Sequence, residues 1–85
     1  MHIEATRTFI KLYKKLDPEI KEQVKKTLLL FEQDPSHPSL GHKKMAGQRD
    51  IYEIRVSKNY RITYIKSGDT AILRKVGTHD ILNKP

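Results

Sequence analysis

Residues 52–65 read YEIRVSKNYRITYI. Tyr52, Ile54 and Val56 alternate with Glu53, Arg55 and Ser57. After a polar break, Tyr60, Ile62 and Tyr64 alternate with Arg61, Thr63 and Ile65. A period of two marks half-buried strands, and the break SKN marks the turn between them. The loop length decides the pairing. A two-residue loop, Lys58-Asn59, sets Val56 against Arg61 and Arg55 against Ile62, which mixes the faces. A three-residue loop, Ser57 to Asn59, sets Val56 against Tyr60, Arg55 against Arg61 and Ile54 against Ile62. One face is then wholly apolar, and its burial selects this register, because a one-residue slip exposes the whole set. Asn59 is expected to take the left-handed position such a loop needs.

Outward from the hairpin, SGD at 67–69 makes a second turn. TAILRKVG, 70–77, is apolar on both faces in its first half, as in a central strand. Toward the N-terminus, residues 35–50, PSHPSLGHKKMAGQRD, are polar, carry Gly and Pro, and read as a loop or irregular arm. Before them lie two helices. Thr6 is placed to cap a helix with Phe9, Leu12, Tyr13 and Leu16 on one stripe. Asp17-Pro18 restarts a second helix that runs to about Gln33, with Ile20, Val24, Leu28 and Phe31 on its stripe. Little chain joins the two, so an antiparallel helical hairpin is expected. MHIEA could add a short strand. The predicted class is α+β: a helical hairpin on one face of an antiparallel sheet of three to four strands, in a single domain spanning 1–85.

The net charge is +7. Residues 1–35 hold seven Lys/Arg against six Asp/Glu, and residues 36–85 hold ten against four. A basic surplus confined to the second part points to a polyanion, either nucleic acid or an acidic protein, or else to charge kept for solubility. There is no cysteine, so disulfides and thiolate metal sites are excluded. No apolar run is long enough to cross a membrane, and the N-terminus lacks a signal-peptide core. A cytoplasmic protein without membrane contact is expected.

Several residues carry candidate chemistry. Arg55 and Arg61, paired across the hairpin, either form a fork for a phosphate or are neutralised by Glu53 on the same face. His79, in VGTHD at 76–80, lies just past the last strand, where that strand could bring it near the arginines. An imidazole ordinarily titrates at about pH 6.5, which suits proton transfer near neutral pH. Lys43, Lys44, Arg49 and Lys58 are phosphate-positioning candidates or solvated charges. His37, His42 and His79 match no zinc spacing, so neither metal nor cofactor is expected. Tyr52, Tyr60 and Tyr64 could stack bases, but the register turns them toward the core.

With these pieces in place, the chain resembles toxins of the RelE/ParE superfamily, which are encoded with an antitoxin. The resemblance runs over nearly the whole chain. It rests most on YRITY at 60–64 and VGTHD at 76–80, and its tail is most similar to the YafQ-like branch. It implies a RelE-like fold and an endoribonuclease that cleaves mRNA at the ribosome. It also implies an acidic antitoxin that folds on binding. By position, Arg61 corresponds to an arginine on the scissile phosphate, Arg55 to a helping basic residue, and His79 to a catalytic histidine or arginine. His42 lies near a second histidine of the YafQ-like branch. Two positions depart from the pattern. Asn83 stands where an aromatic is usual, and Glu53 stands where some members have lysine, lowering the local potential or supplying a base. Two alternatives belong to the same superfamily: a ParE-type inhibitor of DNA gyrase without catalysis, and a degenerate member that only binds its antitoxin.

Overall fold

The computed structural model describes residues 1–45, 47 and 50–85. In chain order they form β1 (His2–Ala5), α1 (Arg7–Lys14), α2 (Pro18–Gln33), a 3₁₀ turn at Pro38–Leu40, β2 (Lys43–Lys44), β3 (Ile51–Arg55), β4 (Arg61–Ser67), β5 (Thr70–Gly77) and a second 3₁₀ turn at His79–Leu82. Both helices start where the caps predict. The Thr6 hydroxyl accepts from the Phe9 amide, at 3.1 Å. Asp17 caps α2 by position only, without a side-chain bond, while Pro18 supplies the preset first turn.

The strands form one sheet in the order β1-β5-β4-β3-β2. The β3–β4 register is the expected one, with Ile54 opposite Ile62 and Arg55 opposite Arg61. Two expectations change. The sheet has five strands rather than three to four, because Lys43–Lys44 inside the irregular arm pairs antiparallel with Tyr52–Glu53. The sheet is mixed rather than antiparallel, because β1 runs parallel to β5, with Ile3 opposite Ala71. The intervening helices let the chain return in the same direction. A third expectation also fails. Asn59 is not left-handed; among the described non-glycine residues only Asp50 is, at φ 58°. The turn is held instead by Arg61, whose guanidinium gathers the loop carbonyls.

Pleating sends alternate side chains to opposite faces. Ile54, Ile62, Tyr64, Leu73 and Val76 are buried on one face, against Phe9, Val24 and Phe31 of the helices. Fully burying a side chain of this size is worth about 1.5–3 kcal/mol, so this face dominates the stability. β5, central as predicted, carries an irregularity opposite Thr63/Tyr64. Thr63 pairs with Lys75 but Tyr64 with Leu73, which leaves Arg74 without an opposite residue. Such a bulge re-aims the side chains around it.

Candidate nucleic-acid interface on the outer face of the sheet

The polar part of the face turned away from the helices is built from two rows, beside an apolar row of Ile51, Ile65 and Ile72. One runs Arg55, Arg61, Gly77 across β3, β4 and β5. The next runs Lys43, Glu53, Thr63, Lys75 across β2 to β5. Directly opposite residues on one face lie within side-chain reach. The register therefore gathers two arginines, two lysines, a carboxylate and a hydroxyl on one surface.

The two arginines do different things. Arg61 is 9% exposed, and its Nη1 donates to the carbonyls of Ser57 (2.6 Å), Tyr60 (3.0 Å) and Lys58 (3.3 Å). That nitrogen is committed to the hairpin turn, which holds the guanidinium in place. Arg55 is exposed and lies along the Gly41 backbone, where an added Cβ would sit 3.5 Å from its Nε. Glu53 is buried, and its ion pair is with Lys43 across the strands, at 3.6 Å, not with either arginine.

His79 is exposed and opens the 3₁₀ turn, two residues beyond Gly77, which is itself opposite Arg61. The turn is set by a close approach. A Cβ at Gly77 would lie 2.8 Å from Cγ2 of Ile81, so the chain folds back tightly only because that side chain is missing. After the turn, the chain lies on the outer face. Pro85 O accepts from Arg74 Nε (3.0 Å) and from Thr63 Oγ1 (3.2 Å), and Lys84 O accepts from Lys75 Nζ (2.5 Å). Pro85 and Thr63 are buried as a result.

The other candidates lie apart from this face or outside the description. His42 is on the helix side, its ring against Phe31, Tyr52 and Tyr64. Its Nδ1 donates to Pro35 O at 3.2 Å, because a carbonyl can only accept. Its other nitrogen, Nε2, is hydrogen-bonded to the Tyr64 hydroxyl. Burial, and then the neighbouring Tyr52, push the Tyr64 hydroxyl above the ordinary tyrosine range and keep it a donor. His42 thus ties the 35–42 loop to the sheet and is not brought beside His79. Lys44 pairs with Tyr52 and so takes the helix-side alternation, unlike Lys43. Lys58 is exposed at the hairpin tip. Arg49 lies outside the described residues. Among the described residues, no three His, Asp or Glu side chains gather as metal ligands.

The family described as ParE-like toxin domain matches residues 18–84. The chain belongs to the RelE/ParE superfamily of toxins. No protein of curated function matches it in sequence. Among solved structures, it is similar to a chain of the RelB–RelE antitoxin–toxin complex of Methanococcus jannaschii, at 28% identity and TM-score 0.77, covering 94% of each chain. It is also similar to a chain of the E. coli RelBE toxin–antitoxin complex, at 25% identity and TM-score 0.71, covering 91% of this chain and 94% of that one. E. coli YafQ shares the fold at 16% identity and TM-score 0.76, covering 94% of each chain.

Within this RelE/ParE sheet, Thr63, Arg74 and Lys75 belong to the outer face and were not singled out from sequence. Thr63 was legible in principle, since it alternates with Ile62 and Tyr64. Arg74 and Lys75 were less so. Strict alternation puts adjacent residues on opposite faces, and nothing local announces the bulge that lets both reach the tail.

Proposed function

We propose that the chain is the toxin of a toxin–antitoxin pair and acts as a metal-independent endoribonuclease on mRNA at the ribosome, in the cytoplasm. The observation that carries this reading is the row Arg55–Arg61–Gly77 leading to an exposed His79, on a face free of the helices. In the reaction, the ribose 2′-oxygen attacks the adjacent phosphorus and the bond to the 5′-oxygen breaks. The products are a 2′,3′-cyclic phosphate and a 5′-hydroxyl. Arg55 contacts the phosphate, and Arg61, held by its turn, stabilises the charge that gathers in the transition state. Preorganised donors of this kind are worth about 10²–10³ in rate. His79 protonates the leaving oxygen, worth ~10²–10⁴. Glu53 is the base that takes the 2′-proton, with Lys43 paired beside it at 3.6 Å. Lys43, Lys58 and Arg49 would position flanking phosphates.

The antitoxin partner is proposed from the antitoxin–toxin complexes among the similar structures. It would be acidic and would fold against the basic face as it binds. The family match, which bears the ParE-like description, supports a second reading: inhibition of a DNA topoisomerase by binding alone. The two separate in one experiment. Purified protein is added to translating extract, and mRNA cleavage is mapped beside a gyrase supercoiling assay. Cleavage that requires His79 supports the nuclease. Intact mRNA with inhibited supercoiling supports the second reading.

A further inference from the structure

We propose that His42, on the helix side of the sheet, is a positioning residue for the phosphate site on the opposite side: it pins the loop whose last residue, Gly41, supports the Arg55 side chain. The proposal rests on the reading of the outer face as an RNA surface, and it adds to that reading a residue that touches no RNA.

The two arginines of the outer row are supported differently. Arg61 is held by the carbonyls of Ser57, Lys58 and Tyr60. Arg55 is exposed and has the Gly41 backbone along its side chain instead: a Cβ at Gly41 would meet Cβ, Nε and Cζ of Arg55 at 3.6, 3.5 and 3.7 Å. Where Gly41 sits therefore decides where the Arg55 guanidinium can rest. The next residue, His42, turns the other way. Its ring lies against Phe31, Tyr52 and Tyr64, at centroid distances of 5.8, 5.7 and 5.5 Å. Two adjacent residues thus join the arginine on one side to the aromatic cluster on the other.

The loop before His42 has a defined shape that this anchor completes. Pro38–Leu40 is a 3₁₀ turn, His37 Nδ1 accepts from the Ser39 amide at 3.1 Å, and Leu40 is buried. Gly41 ends the turn at φ 51°, a left-handed conformation that glycine adopts without a steric penalty, and so redirects the chain into β2. His42 then ties the loop at both ends. Nδ1 bonds Pro35 O, where the loop begins, at 3.2 Å, and Nε2 is bonded to the Tyr64 hydroxyl on β4, the middle strand of the sheet. The ladder that follows is only two residues long, so it contributes little to fixing Gly41. An arginine loses much rotamer freedom when it is fixed on a phosphate, and a backbone that orders it beforehand removes part of that cost.

The test is a double-mutant cycle on the full chain, with a 2′-O-methyl single-stranded RNA that lacks the attacking hydroxyl as the probe. His42→Ala should weaken binding ~3–10-fold, and Arg55→Ala should weaken it further. In the Arg55→Ala background, His42→Ala should change affinity by less than ~2-fold, because both act through one contact. In the free protein, the heteronuclear NOE of the Arg55 Nε–Hε group should fall in His42→Ala, which reports the loss of support without any RNA. Tyr64→Phe removes the same anchor from its other end and keeps the ring, so it takes the place of His42→Ala in both measurements if that variant unfolds. With cleavable RNA, His42→Ala should raise KM and leave kcat within ~2-fold of wild type, as expected for lost binding rather than lost chemistry. An unchanged Arg55 NOE, or a loss of affinity equally large with and without Arg55, overturns the positioning role and leaves the proposed function standing. A fall in kcat of ~10² or more at unchanged KM makes His42 a proton-transfer group and also overturns it. Failure of the wild-type chain to bind the RNA overturns both.

Discussion

Arg61 and Tyr64, three residues apart on β4, face opposite ways and show how a single strand serves both stability and site. Tyr64 is fully buried, and its hydroxyl is hydrogen-bonded to His42. Its folded pKa is raised, so the native state holds this proton more tightly than the unfolded chain does. That contribution to stability is complete below the ordinary tyrosine value, about 10, and declines as pH rises above it. Tyr64→Phe should therefore cost about 1 kcal/mol near neutral pH and should flatten the alkaline limb of a stability–pH curve measured by urea unfolding. An unchanged alkaline limb would mean that Tyr64 ionises as easily folded as unfolded. His79 was legible in VGTHD as a residue beyond a strand, and the observed register places Gly77, the end of that strand, opposite Arg61. The roles of Arg61 and His42 were less legible. One holds three turn carbonyls and the other bridges a loop to a buried phenol, and both depend on partners that only folding brings close.

At the scale of elements, the best-read parts are those with a strong local signal. Thr6 and Pro18 mark the helix starts, and the apolar alternation in 52–65 sets the hairpin register. β1 was readable as a strand but not as a parallel partner of β5, since its neighbours lie 68 residues away in sequence. β2 is two residues long and embedded in an irregular arm, too short for any period to show. Thr6 joins local and distant order, because its hydroxyl accepts from Phe9 and donates to the carbonyl of Arg74 at 3.3 Å. Thr6→Ala should cost about 1–2 kcal/mol, read from chemical denaturation. A loss below a few tenths would show that neither bond is retained in solution. Gly77→Ala pushes a Cβ onto the stiff, β-branched Ile81. It should destabilise by about 1–3 kcal/mol and shift the NMR signals of residues 79–82. If those signals stay in place, the close approach does not set the turn that carries His79.

For the whole molecule, the division of labour is between two faces of one sheet. The helix side holds the apolar core, and the outer side gathers Lys43, Arg55, Arg61, Arg74 and Lys75, half of the ten basic residues that the charge count located in 36–85. Binding to single-stranded RNA should accordingly fall steeply with salt, with a slope of ~0.7 per phosphate contact. Affinity that stays flat between low and high salt would contradict a phosphate-led interface. The measurement that bears most directly on the central claim compares His79→Ala with the wild-type chain, at matched thermal melts, for mRNA cleavage by translating ribosomes. If His79 protonates the leaving oxygen, the variant keeps its RNA affinity and loses ~10²–10⁴ in cleavage rate, and the wild-type fragments end in a cyclic phosphate and a 5′-hydroxyl. Cleavage at the wild-type rate in the variant, or intact mRNA with the wild-type chain, would contradict the account.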